Sequence, residues 1–178
     1  SLAAIAADEE SLSFVQTNVI KSMLQKFHIS SKIPTSLRHG PTELGGLGLY
    51  DLRTEAGIEA IKFLRNSLYS DSEAGNLIRL NLQYSQREAG VGFHLLEKPT
   101  EYISYLTPSW ILSIRQFLAN NNMSIRVSDV HCDQLKSPTD DFIMSADHLK
   151  RYSPSQQRAI NLVRIWLQVT TLSELADP

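Results

Sequence analysis

Three groupings in this 178-residue sequence have residue types that could do chemistry. The first is HGPTELGGLGLYDL, His39 to Leu52, with four glycines and four leucines in fourteen residues. Glycine-rich turns before helices can aim backbone N–H groups at a phosphate. The motif requirements are not met, however. A dinucleotide loop needs Gly-x-Gly-x-x-Gly after a strand, and a phosphate loop ends in Gly-Lys-Ser/Thr. Here Gly46 and Gly48 supply only the first pair, Asp51 takes the third position, and no lysine follows the glycines. A carboxylate there would repel a phosphate. The expected roles of Gly45, Gly46 and Gly48 are therefore to shape the loop, through positive φ or close backbone approach. Leu44, Leu47, Leu49 and Leu52 should then tuck it against a core.

The second grouping is Asp140–Asp141 in TDDFIM. Paired aspartates on a hairpin can hold metals in a polymerase palm, but Pro138 and Thr139 precede this pair, where an aromatic residue is usual. Adjacent strand residues also point to opposite faces. A turn or capping role is expected instead. The third grouping is His131, Cys132 and His148, whose spacing fits no zinc pattern. No Gly-x-Ser-x-Gly elbow is present. The reading is of a chain with no catalytic residues, no metal and no cofactor. Tyr102, Tyr105, Trp110 and Phe117 could stack on bases, but their placement at a helix entry and along one helix face points to packing.

The elements that must position these residues are mostly helices. In EESLSFVQTNVIKSMLQKF, the residues Leu12, Val15, Val19, Ile20, Met23, Leu24 and Phe27 form one apolar stripe. Glu9 and Glu10 sit near its first turn, where negative charge suits the helix dipole. Asp51 or Thr54 should cap a second helix with the stripe Leu52, Ala56, Ile58, Ile61, Leu64 and Leu68. Ser70 to Glu73 has capping-box spacing for a third, which Gly90 should close. Thr107 and Pro108 should open a fourth, fading at Asn120 to Asn122. Ser153, Pro154 and Gln156 start a fifth, with the stripe Ile160, Val163, Ile165, Trp166 and Leu167. Thr171 and Glu174 suggest one more short helix. The fold expected is a mostly α helical bundle of five to seven helices, with room for one short β ribbon near residues 124–144. Two subdomains are expected, 1–97 and 98–178.

Bulk properties agree with a core-forming chain: 42% of residues are hydrophobic and 20% charged. A single cysteine excludes an internal disulfide and suggests an intracellular protein, nuclear or cytoplasmic. No apolar run approaches the roughly 20 residues of a membrane span. The opening SLAAIAADEESL has no basic segment before it and does not read as a secretory signal. The sequence reads as a fragment or product of a longer chain. Net charge is -2, yet Lys21 to Arg65 carries seven basic residues against four acidic ones.

The stretch GPTELGGLGLYDLRTEAGIEAIKFL resembles the region just after the palm in reverse transcriptases of eukaryotic retroelements. The blocks LNLQYSQREAGVGFHLLEKP, YLTPSWILSIRQFL, DDFIM and INLVRIWLQVTTLSEL are similar to successive blocks of such proteins, so the resemblance spans about Leu24 to Leu175. It implies a thumb-like helical subdomain followed by a C-terminal extension. The polymerase active site would lie upstream, leaving this piece non-catalytic. It further implies that Lys32, Arg38, Arg53, Lys62 and Arg65 contact the phosphates of an RNA–DNA or RNA duplex, weakly in isolation. The palm of the parent chain would be the protein partner. The alternative expectation is a helical protein–protein interaction module without nucleic-acid binding, marked by an exposed apolar helix face.

Overall fold

The computed structural model describes residues 9–128 and 130–176, with the side chains of Glu9 and Glu10 and the segment SLAAIAAD outside the described residues. The chain is mostly α-helical. Five longer helices are α1 (Glu9–Lys26), α3 (Leu52–Leu68), α4 (Glu73–Ala89), α5 (Trp110–Asn120) and α7 (Pro154–Leu167). Short helices α2 (Thr35–His39), α6 (Ala146–Leu149) and α8 (Ser173–Ala176) and a 3-10 turn, Thr42–Leu44, complete the order. No β ribbon occupies the described part of 124–144; Asp129 lies outside it. What pairs instead is a single antiparallel bridge, Phe142 with Thr171. Two short strands alone would be marginal, and Ile143 N–H finds Thr170 O at 3.1 Å without one.

The division of the chain also differs from the expected break at 97/98. Two compact units, Ser1–Arg65 and Asn66–Pro178, meet within the last turn of α3. The Pro- and Tyr-rich stretch near residue 98 is an interior part of the second unit. The buried Arg115 of α5 ties it down by donating to Leu95 O and Lys98 O, 3.0 Å each, and to Glu101 O.

In the first unit, Pro34 precedes α2 with an extended backbone and ends the run begun by α1. Of the predicted α1 stripe, only Ile20 and Leu24 are buried; Val15, Val19, Met23 and Phe27 are exposed. The stripe is real in its spacing, but neighbouring segments cover only its edge. Helix α3 starts after Asp51, whose carboxylate accepts from Thr54 Oγ1 at 2.8 Å. Leu64 is its most buried side chain.

The second unit has the larger core, drawn from Ala89, Val91, Leu95, Ile103, Tyr105, Leu106, Ile143, Met144 and Leu149. Helix α5 contributes Ile111, Ile114 and Leu118 from one face. Each such aliphatic side chain contributes about 1.5–3 kcal/mol on burial.

Two caps fall two residues later than expected. Ser72, not Ser70, caps α4, accepting from Gly75 N at 3.1 Å. Gly75 is held to glycine because a Cβ would meet Ser70 O at 2.4 Å and Ser67 O at 2.6 Å. Ser109, not Thr107, caps α5. Thr107 Oγ1 donates to Glu88 instead. Helix α7 opens with Ser153 and Gln156 in a reciprocal capping box and Pro154 at its first position.

Helix α7 buries the face that its sequence makes polar. Gln157, Asn161 and Arg164 are buried, whereas Leu162, Val163, Ile165, Trp166 and Leu167 are exposed. The buried polar groups are all used. Gln157 donates to Leu149 O and Tyr152 O and accepts from Tyr102 Oη at 2.6 Å. Arg164 donates to Asn161 Oδ1 and to the last carbonyls of α4, Arg87 O at 2.9 Å and Glu88 O at 2.8 Å. Unpaired carbonyls at a helix end are costly when buried, and this guanidinium satisfies them. Gly90 closes α4 beneath it with φ +59, and a Cβ there would meet Arg164 Cζ at 2.5 Å.

Candidate nucleic-acid interface

The glycine loop folds on itself. Five successive amides are donated within the chain: Gly45 to Thr42 O, Gly46 to Pro41 O, Leu47 to Leu37 O, Gly48 to Gly40 O and Leu49 to Arg38 O, all between 2.8 and 3.1 Å. His39 Nδ1 adds a bond to Leu49 O at 2.7 Å. A phosphate cradle needs such N–H groups directed at its ligand, and here each already has a carbonyl. Gly45 and Gly48 adopt positive φ, +82 and +61. Gly46 sits so close to Gly40 that a Cβ would lie 2.1 Å from its carbonyl oxygen. Leu47, Leu49 and Leu52 are partly covered, but Leu44 is 83% exposed at the tip of the 3-10 turn and does not tuck inward.

The five basic candidates have different surroundings. Arg38 is turned into the loop: Nη2 donates to Ser31 O at 2.6 Å and Nε to Ile33 O at 3.1 Å. Its first task is structural, and reversing its charge would disturb the turn between α1 and α2. Lys62 pairs with Glu59 at 2.7 Å on an exposed face of α3, which holds its pKa above the ordinary lysine value. Arg53 lies 3.9 Å from Asp51. Burial alone would push the Asp51 carboxyl up, but bonds from Thr54, Gln16 and the Arg53 amide bring it below the usual aspartate value. Asp51 therefore stays ionised beside Arg53 and lowers its availability to a phosphate. Lys32 and Arg65 are exposed and make no ion pair among the described residues.

One signal in the sequence was overlooked by motif reading. Between Ser11 and Thr42 there are four cations (Lys21, Lys26, Lys32 and Arg38) and no Asp or Glu. Lys21 and Lys26 stand exposed on α1.

The remaining groupings do not converge on a reaction centre. Asp140 accepts from Ser173 N at 3.0 Å and Ser173 Oγ at 2.6 Å, pinning the start of α8. Those bonds, the Ser173 hydroxyl first, bring its pKa down to about 2. Asp141 lies 3.2 Å from His148 Nε2. Ser145 Oγ donates to that same carboxylate oxygen rather than facing a free imidazole nitrogen, so no nucleophile–base relay forms. Cys132 Sγ is 3.5 Å from His94 Nδ1. Burial, then Asp133 and Glu97, push its thiol up to about 11, which keeps it protonated and unreactive. No group of three or more His, Cys, Asp or Glu among the described residues is arranged to hold a metal ion.

The aromatic residues serve packing. Tyr105 is buried, with Oη donating to Ala89 O at 2.6 Å, and Tyr102 leans on it with ring centroids 6.4 Å apart. No described helix is long and apolar enough to cross a membrane. No family model matches the chain, and no match is found among curated proteins or solved structures.

Proposed function

We propose that this chain is the non-catalytic thumb-and-extension portion of a retroelement reverse-transcriptase-like protein, and that it helps to hold an RNA–DNA or RNA duplex. The observation that carries the reading is the charge of the first unit: a stretch without carboxylates leads into the glycine loop, and Lys32 and Arg65 present exposed charges free of ion pairs among the described residues. The glycine loop contributes shape and no amide donors. Of the five basic residues, Lys32 and Arg65 make the strongest phosphate contacts; Arg53 and Lys62 must first leave their carboxylates, and Arg38 acts through the loop it holds. The upstream palm is the natural protein partner, and catalysis belongs there.

The test is fluorescence anisotropy of a labelled RNA–DNA hybrid across about 50 to 200 mM salt, where phosphate contacts lose affinity steeply. Lys32→Glu with Arg65→Glu should weaken binding and flatten the log–log salt slope by about 2, one unit per lost phosphate contact. An unchanged affinity and slope would remove both residues from the interface.

A second reading, a protein-interaction module without nucleic-acid binding, is favoured by one observation: the outer face of α7 presents Leu162 at 68% and Trp166 at 81% exposure. A folded chain that fails to bind the hybrid even at low salt would move the assignment to it.

A further inference from the structure

We infer that α1 is a docking ridge for an acidic amphipathic helix of a protein partner. Val15, Val19, Met23 and Phe27 follow one another at four-residue intervals and are all exposed, Phe27 at 69%. Rows at this interval are the ridges by which helices pack into one another's grooves. Beside this ridge runs the row Asn18, Ser22 and Lys26. The two rows enclose an open groove of about 320 Å³ lined by Asn18, Val19, Ser22, Met23 and Lys26. From Val15 to Phe27 the ridge extends roughly 18 Å at 1.5 Å per residue, enough for more than three turns of a partner helix.

Charge identifies the partner. Lys21 and Lys26 flank the ridge, and no carboxylate occurs from Ser11 through Thr42, so an acidic helix meets attraction and no like-charge repulsion. Three chemistries could answer such a surface, and the ridge selects among them. Nucleic acid would satisfy the lysines but leave Val15, Val19 and Met23 against sugar and phosphate, with no aromatic platform between the two terminal phenylalanines. A lipid surface calls for a broad apolar face. The inward half of this one, Ile20 and Leu24, is already buried, leaving a ridge one side chain wide. Such a ridge fits between the side-chain rows of another helix. The inference is independent of the duplex-binding reading, which rests on Lys32 and Arg65.

The probe is a labelled helix-forming peptide of roughly 15 residues, with leucines at helical spacing on one face and glutamates on its flanks. It is titrated with the full chain. Saturable binding is expected, weakened at least about tenfold, or about 1.4 kcal/mol, by Val19→Ser with Met23→Ser and separately by Lys21→Glu with Lys26→Glu. Those positions are exposed, so circular dichroism and melting temperature should stay unchanged. The version of the peptide with lysines for glutamates should not bind. Binding of the RNA–DNA hybrid should survive Val19→Ser with Met23→Ser, which separates this inference from the duplex reading. Absence of saturable peptide binding up to about 1 mM, equal binding of the lysine peptide, or indifference to the ridge substitutions would overturn it. Binding of phosphatidylserine vesicles in place of the peptide, lost with the same substitutions, would overturn it in favour of a lipid surface.

Discussion

Helices α5 and α7 carry similar apolar content in the same unit, yet they use it in opposite ways. Helix α5 turns Ile111, Ile114 and Leu118 inward and leaves Ser113 and Gln116 to solvent. Helix α7 turns Gln157, Asn161 and Arg164 inward and leaves Leu162, Val163 and Trp166 outside. The first is held by burial of hydrocarbon. The second is held by hydrogen bonds to backbone carbonyls that would otherwise be unsatisfied: those ending α4 and those of the turn at Leu149 and Tyr152. Periodicity therefore identifies a face on each helix but does not determine which face the fold covers.

Substitutions on the two helices separate these mechanisms. The largest effect is expected from Ile114→Ala, which removes a fully buried side chain and should cost about 2–5 kcal/mol in denaturant melts. Arg164→Met should follow at about 2–4 kcal/mol, because it strands Arg87 O, Glu88 O and Asn161 in a buried site. A smaller loss would mean that water takes over those bonds and that the clamp is not what seats α7. Ser153→Ala removes the reciprocal cap and should cost about 1 kcal/mol. Leu162→Ser and Trp166→Ser should change stability by no more than about 0.5 kcal/mol. A large loss there would mean that the outward apolar face is covered in solution, and the contrast with α5 would fail.

The contact that pins α8 gives a sharper, pH-dependent version of the same point. Asp140 has its folded pKa depressed to about 2 by Ser173, against about 3.9 in an unfolded chain. Its contribution is full above pH 4 and is lost as pH falls toward 2. Asp140→Asn should abolish that acid-side loss and speed hydrogen exchange at Leu172 and Ile143 at neutral pH. Exchange rates equal to those of the native chain would show that the bridge between Phe142 and Thr171 holds without the carboxylate.

Much of the fold was legible because local chemistry determined it. The Ser153–Pro154–Gln156 start signal, the Gly90 stop and the helix-breaking Pro34 each act within a few residues, and each is where its local rule puts it. Caps misread by two residues show where tertiary contacts override spacing. Ser70 is positioned in the α3–α4 turn, where Arg79 grips its carbonyl, which leaves Ser72 to cap α4. The domain break could not be read from Pro, Gly and Tyr content. What joins residues near 98 to the second unit is a guanidinium seventeen positions away.

The candidate interface was legible in part. The failed phosphate motif correctly warned against a nucleotide loop, and the structure supplies the reason in five amides already donated. Residue type alone could not distinguish Arg38, folded into the loop, from Lys32 and Arg65, which face solvent. That distinction depends on which carbonyls lie within reach, and only the folded turn sets them.

The central claim is that duplex binding uses exposed cations of the first unit and not the glycine-loop amides. Amide chemical-shift mapping during titration with an RNA–DNA hybrid tests it most directly. The account predicts saturable shifts at Lys32 and Arg65, with Gly45 through Leu49 unmoved because their N–H groups remain bonded within the loop. Shifts concentrated on Gly46 to Leu49, or a titration that leaves Lys32 and Arg65 unmoved, would contradict it.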